Sequence, residues 1–443
     1  MDQYIAAVMN GENVFLHAMA GSGKTTATRR VVQMLENAGK KVVVVAPSAM
    51  GALQISESAP GEYQISARTI HSQFAIAPYE PPNTIDRLNA LIYRESKKPI
   101  RSLPDVLIID EISMLGASLL TIIESKLRAK NSKLMGGVQV IALGDMYQLP
   151  PVKDLAVTRS ALWKQLNFNE IEFTINRRYT DQKYFEIMRD LRVGKITDED
   201  LAILNSRVIP PPANVPIIAP SHKIVNAHNH SKLYAILAQK HTLLAENTVE
   251  YISSGIGSAP SRNGYYNPLD AKLEAEQREY ALKKMEGEFD RIVGQEITIC
   301  TGAFIMIRSN ISQEKRLVNG ALGVVLEIGN EVLGDKVIWN AGMPITKVRI
   351  QLKNGSKHII ERVAFSYETD VIKYRRSQFP FVIAYATTID KSQGSTIDEL
   401  IVDNQKNRFY PGQLYVALSR VRALDCVYLT RAIMRSDILV PAF

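Results

Sequence analysis

Several short stretches of this 443-residue chain carry residues whose types and spacing suit phosphate chemistry. In "AMAGSGKTT" (18–26) a glycine-rich turn offers backbone N–H groups to phosphate oxygens. Lys24 is spaced to reach the β- and γ-oxygens, and Thr25 to offer a hydroxyl to Mg2+. The first glycine of the usual pattern is Ala18, but Gly21, Ser22, Gly23, Lys24 and Thr25 stand in order, with Thr26 behind them. In "VLIIDEISM" an apolar run ends in Asp110 and Glu111, one acid to hold a metal and one to polarise an attacking water as general base. Acids after a strand also cap helices, so it is the company of the glycine turn that gives this pair its meaning. A third apolar run, "VQVIAL", leads into "GDMYQLPPV" (144–152). There Gln148 can accept from water and donate to a phosphate oxygen, and the prolines stiffen the exit, which suits a sensor of the γ-phosphate.

The guanidinium groups come from elsewhere in the chain. "FTINRRYTD" supplies Arg177 and Arg178, and "GQLYVALSRVR" supplies Arg420 and Arg422. An arginine aimed across a cleft stabilises charge on a transferring phosphoryl group, and Arg178 and Arg420 are the expected fingers. A lone arginine more commonly makes a surface salt bridge.

These residues need a scaffold. Through the first 175 residues, β-rich runs ("NVFLHA", "KVVVVAP", "DVLIIDE", "VQVIALGD") alternate with helical stretches, the pattern of a parallel sheet with crossover helices. Residues 73–102 read as a small surface insertion, in which Phe74, Tyr79 and Tyr93 either stack on a terminal base pair or serve local packing. A second alternation, beginning near Ile171 and including "VPIIAPS" and "ELIVDN", predicts a second α/β domain over 176–295 and 378–443. Within it, 253–267 reads as a mobile loop and 268–294 as a charged, solvated helix. Residues 296–377 read as a small β-barrel.

Composition sets outer bounds. A formal charge of +8 favours a polyanionic partner only modestly over so long a chain. Cys300 and Cys426 form no framework and no CxxC pair, which predicts a reducing compartment and no zinc site. The opening residues lack a basic secretory pattern and no apolar run reaches membrane-spanning length, so a soluble protein of the cytoplasm is expected.

Taken together, "AGSGKTT", "VVAPSAMGAL", "ARTIHS", "DEISM", "GDMYQLPPV", "NRRYTD", "TTIDKSQGST" and "LYVALSRVR" resemble, in order and spacing, the Pif-type helicases of superfamily one, subclass B, relatives of the RecD and Dda helicases. The resemblance implies two RecA-like P-loop NTPase domains, a small duplex-splitting insertion in the first and an SH3-like barrel in the second. It implies ATP and Mg2+ as cofactors, single-stranded DNA and its junctions with duplex as partners, 5′→3′ movement and a monomer. The compact length suits a bacterial or viral protein, and replication, repair and recombination could all employ such a motor. Family roles fall on Lys24, Glu111, Gln148, Arg178 and Arg420 for catalysis, on Thr25 and Asp110 for the metal, and on Gly394 among the nucleotide contacts. The DNA track is matched by Pro47, Ser48, Thr69, His71, Thr388, Lys391, Ser392 and Gln393, polar groups suited to phosphates rather than base edges. Two positions depart from the family pattern: Asp390 stands where histidine is usual, and Gln3 lies about two residues too close to the glycine turn to match the adenine-reading glutamine.

Two other classes stay open. Pro104-Asp105 followed by Glu124-Ser125-Lys126 fits a metal-dependent nuclease pattern, although the apolar spacing of "LLTIIESKLRAK" predicts that Glu124 and Lys126 face solvent. An ATPase that binds or clears DNA without unwinding fits the same motifs.

Overall fold

In the computed structural model the chain is described apart from residues 57–62, 77–81, 83, 97–99, 101–102, 213–214, 252–278, parts of 280–292, and short breaks at 310, 313–314, 318–320, 353, 369–371, 395 and 405–408. The loop at 253–267, Tyr79 and most of the charged stretch 268–294 lie outside the described residues. Two compact units emerge, one built from 1–225 and 387–443, the other from 226–386.

The first unit contains two sheets. In the larger, β1 (Val14–Ala18), β2 (Val42–Ala46), β3 (Ala67–Thr69), β4 (Val106–Ile109), β5 (Gln139–Gly144) and β6 (Asn169–Phe173) lie in the order β3-β2-β4-β5-β1-β6. Each pairing is parallel. Buried on both faces, β4 and β5 read as near-continuous aliphatic runs, as crossover topology requires. Its centre carries the site: β1 leads into the glycine turn, β4 into the acids, β5 into the glutamine. The stretch around Ile171, read from the sequence as opening the second alternation, instead forms β6, the edge of this sheet beside β1. The smaller sheet orders Ala386–Thr388, Ile217–Ala219, Leu400–Val402 and Val427–Leu429. Its core gathers Tyr184, Ile187, Leu191, Ile218, Val402 and Val416.

The insertion after β3 is held by a buried charge. Its helix Ile85–Ser96 packs on helix Ala117–Arg128, where Lys126 Nζ donates to the Glu95 carbonyl at 2.5 Å, both residues being buried. This corrects the expectation that Lys126 faces solvent, because the insertion covers the flank that helical spacing alone left bare. Phe74 is also a core residue and so is not available to stack, whereas Tyr93 is 64% exposed.

In the second unit, five antiparallel strands are ordered Lys357–Ile360, Lys347–Leu352, Leu322–Gly329, Phe304–Ile307, Phe381–Ile383. A three-stranded sheet joins Val363–Glu368, Ile372–Gln378 and Glu246–Tyr251. Because Glu246–Tyr251 pairs with Ile372–Gln378, and His241–Leu244 with Glu296–Ile299, the chain departs from the second parallel-sheet domain near 225 and rejoins it near 387. The sequence boundaries of 295 and 378 are corrected accordingly: Glu246–Tyr251 and its partner Ile372–Gln378 lie more than a hundred residues apart in the chain. Arg376 is buried here, donating to Asn247, Asp290, Gln295 and Tyr374 side chains and to the Val293 carbonyl. Among the described residues no helix is long and apolar enough to cross a membrane.

Candidate nucleotide cleft and nucleic-acid interface

Between the two sheets of the first unit lies a cleft of about 340 Å3, within the range of small-molecule sites. One wall is the turn after β1, where Gly21 and Gly23 take φ of +81° and +92°, conformations open to glycine at little cost. A Cβ on Gly21 would lie 2.3 Å from Arg178 Cβ, so the missing side chain is what lets this arginine lie against the turn. The Arg177 N–H donates to the Gly21 carbonyl at 3.1 Å, and Gly23 opens helix Lys24–Asn37 with Arg177 Cδ beside it. Lys24 Nζ donates to the Ala18 carbonyl at 3.0 Å, and Ser22, Thr25 and Thr26 complete this wall.

The acids stand at the end of β4. Glu111 adopts a left-handed φ of 51°, and its N–H donates to Asp110 Oδ1 at 2.8 Å. Burial, and then the neighbouring Glu111 charge, push the Asp110 carboxyl up to about 7 against the pull of Lys24. A carboxylate so placed answers to a further cation, and with the Thr25 hydroxyl it makes a donor set of the hard-oxygen kind that magnesium takes.

From the smaller sheet's side come the arginines. Arg178 and Arg420 both line the cleft, Arg178 half-buried and Arg420 fully buried. Arg178 Nη1 donates to the Ser419 carbonyl at 3.0 Å; Arg420 donates to the Val416 carbonyl at 2.8 Å and to Ser419 Oγ at 2.7 Å. Burial, followed by the repulsion of Arg178, lowers the Arg420 guanidinium to about 10, so it remains charged at neutral pH. Two arginine cations facing a lysine turn create a field that an anion would satisfy. Gly394 lines the cleft too, as do Arg177, Arg422 and Thr396.

The DNA-track candidates divide. Pro47 and Ser48 follow β2, Thr69 ends β3 and caps helix Ile70–Phe74, on which His71 stands, and Thr388 caps helix Ile389–Ser392. In both lobes these positions follow the carboxyl ends of strands. Lys391 is partly exposed, and Asp390 is exposed in the first turn of the Ile389–Ser392 helix. Thr388 and Ser392 are buried, with hydroxyls turned to Lys391 N–H and the Ile389 carbonyl. Gln393 is a correction. Its amide turns inward, donating to Glu111 Oε2 at 2.9 Å and Gln148 Oε1 at 3.2 Å, because the helix ends one residue earlier and redirects the chain into the cleft. It bridges the base candidate and the sensor candidate from the opposite lobe. Sequence reasoning had no signal for that direction. Gln3 is exposed on helix Asp2–Met9 and does not line the cleft.

The nuclease pattern dissolves. Asp105 Oδ2 accepts from the Lys41 N–H at the opening end of β4, Glu124 pairs with Arg128, and Lys126 is committed to Glu95. Among the described residues no group of three or more His, Cys, Asp or Glu could hold a metal ion.

Comparison with known proteins agrees with the cleft. The family model of an AAA domain matches residues 2–208. An ATP-dependent DNA helicase Pif1 from Bdellovibrio bacteriovorus is 29% identical over 440 residues, covering 98% of this chain and 87% of that protein. The human ATP-dependent DNA helicase PIF1 is 28% identical over 430 residues, covering 95% of this chain but 58% of its own length. The solved structure of a Bacteroides Pif1 helicase with ADP-AlF3 and single-stranded DNA is 25% identical at a TM-score of 0.64, covering 99% of this chain and 94% of that one. The glycine turn, the paired acids, the glutamine and the opposed arginines converge on one cleft, in a chain that is similar along nearly its whole length to Pif1 helicases.

Proposed function

We propose that this chain is an ATP-dependent DNA helicase that hydrolyses ATP between its two parallel-sheet lobes, moves 5′→3′ on single-stranded DNA and splits duplex ahead of it. The observation that carries the reading is that Lys24, Glu111 and Gln148 from one sheet and Arg178 and Arg420 from the other line one cleft. Lys24 and the turn after β1 hold the triphosphate, and Glu111, oriented by Gln393, draws the proton from the attacking water. Gln148 touches the γ-phosphate, while Arg178 and Arg420 take up charge developing on the transferring group and draw the lobes together. Magnesium, held by Thr25 and Asp110, would supply neutralisation of the phosphate oxygens. Since one chain contributes both walls, a single copy suffices for one site. The polar positions after β2, β3 and the strand Ala386–Thr388 form the strand track, contacting phosphates without regard to sequence. The five-stranded antiparallel sheet of the second unit fits an SH3-like barrel, and the exposed Tyr93 on the insertion is the candidate to meet the junction.

A strand-displacement assay tests this directly. Unwinding of a 5′-tailed duplex with ATP, and none of a 3′-tailed one, is expected. DNA-stimulated ATPase without displacement of either would instead favour a strand-clearing ATPase, and unwinding from the 3′ tail would reverse the polarity.

A further inference from the structure

The strand bearing the sensor glutamine ends in a carboxylate that hydrolysis does not use. Asp145, one residue beyond β5, is fully buried. Arg192 Nε donates to it at 2.9 Å, Tyr415 Oη at 2.8 Å and the Tyr147 N–H at 3.2 Å, with His17 Nε2 3.6 Å away. Two of these groups belong to the other lobe: Arg192 ends helix Gln182–Arg192, and Tyr415 lies on helix Gln413–Leu418. Arg192 is held in turn, its Nη2 2.7 Å from His17 Nε2 and its guanidinium 4.6 Å above the Tyr147 ring. So a first-lobe carboxylate is gripped mainly by second-lobe donors.

The helix that supplies Tyr415 touches three parts of the cleft. Tyr415 Oη also accepts from the Ala20 N–H of the glycine turn at 3.4 Å. At the helix start Gly412, with φ of +80°, backs so closely on the sensor segment that a Cβ would lie 2.6 Å from the Gln148 carbonyl oxygen. The first residue past its end is Ser419, whose carbonyl receives Arg178, and the second is Arg420 itself. The Gln148 N–H donates to the Asp145 carbonyl at 3.0 Å, closing the circuit.

We propose that Asp145, Tyr415 and Arg192 form a positioning hub that links the γ-phosphate contact of Gln148 to the placement of Arg178 and Arg420, so that nucleotide state and lobe closure change together. None of the three lines the nucleotide cleft; they act through the residues that do. The hub rests on the reading of this site as a DNA-dependent ATPase.

Tyr415→Phe is the decisive variant, since it keeps the ring in place and leaves Arg192 on Asp145. The full chain is assayed for steady-state ATPase with saturating single-stranded DNA, and for DNA affinity with ADP or with ADP and aluminium fluoride. The expected result is a kcat lowered about tenfold with KM for ATP within about twofold. The ratio of DNA affinities between the two nucleotide states is expected to shrink by a similar factor. Arg192→Lys, which keeps the charge and loses the fork, is expected to show a smaller loss of the same kind, and it carries the test if Tyr415→Phe does not fold. Folded variants that keep the wild-type kcat and affinity ratio overturn the hub, and so does a loss that only tracks the folded fraction. A wild-type chain with no DNA-stimulated ATPase would instead overturn the functional reading beneath it.

Discussion

At the scale of single residues the cleft is an exercise in placing charge before it is needed. Glu111 is tied to Gln393 across the lobes, so its carboxylate is aimed by a neutral amide that does not compete for the proton. Glu111→Gln is expected to keep nucleotide binding and lower kcat by a factor on the order of 10³, read by ATP turnover beside equilibrium binding of ADP. Asp145 shows the opposite economy. Burial alone would raise its carboxyl, but the His17 ring and the Arg192 charge overcome this and hold it at about 2. Its folded pKa thus lies below the usual value near 3.9, so its stabilisation is complete above about pH 5 and drains away as pH falls toward 2. Asp145→Asn leaves Arg192 buried beside a neutral amide and is expected to cost about 3 kcal/mol at pH 7. In urea melts that deficit should narrow by about half between pH 5 and pH 3.

At the scale of elements, the approach of helix Gln413–Leu418 to the sensor segment depends on Gly412. A methyl there meets both a left-handed φ and the Gln148 carbonyl, so Gly412→Ala is expected to destabilise by more than about 2 kcal/mol, measured by thermal or chemical unfolding. The alternation of aliphatic runs and helices made the first sheet legible in the sequence, because a strand buried on both faces has few ways to look. The glycine turn, the acid pair and Gln148 were legible for the same reason: each follows such a run. Gln393 and Lys126 were not. The direction of the first is set by where a short helix stops, and the burial of the second by an insertion whose own packing is tertiary. The boundary near 225 was hidden because strand pairing between 246–251 and 372–378 leaves no mark on either stretch.

At the scale of the whole molecule, the proposed strand track consists of short polar groups and backbone, with a modest net charge of +8 behind them. Affinity for single-stranded DNA is expected to fall linearly in a log–log plot against salt, with little dependence on base sequence, as titrations of two unrelated oligonucleotides would reveal. The buried lysine beneath the insertion has a mechanical meaning. Helix Ile85–Ser96 is bolted by Lys126 to a helix that begins only six residues after Glu111, so a load borne by the insertion has a short, stiff route to the end of β4. Resistance from a stable duplex would then be felt where ATP is split, and the motor's fuel use would slow under tension instead of running on unchecked.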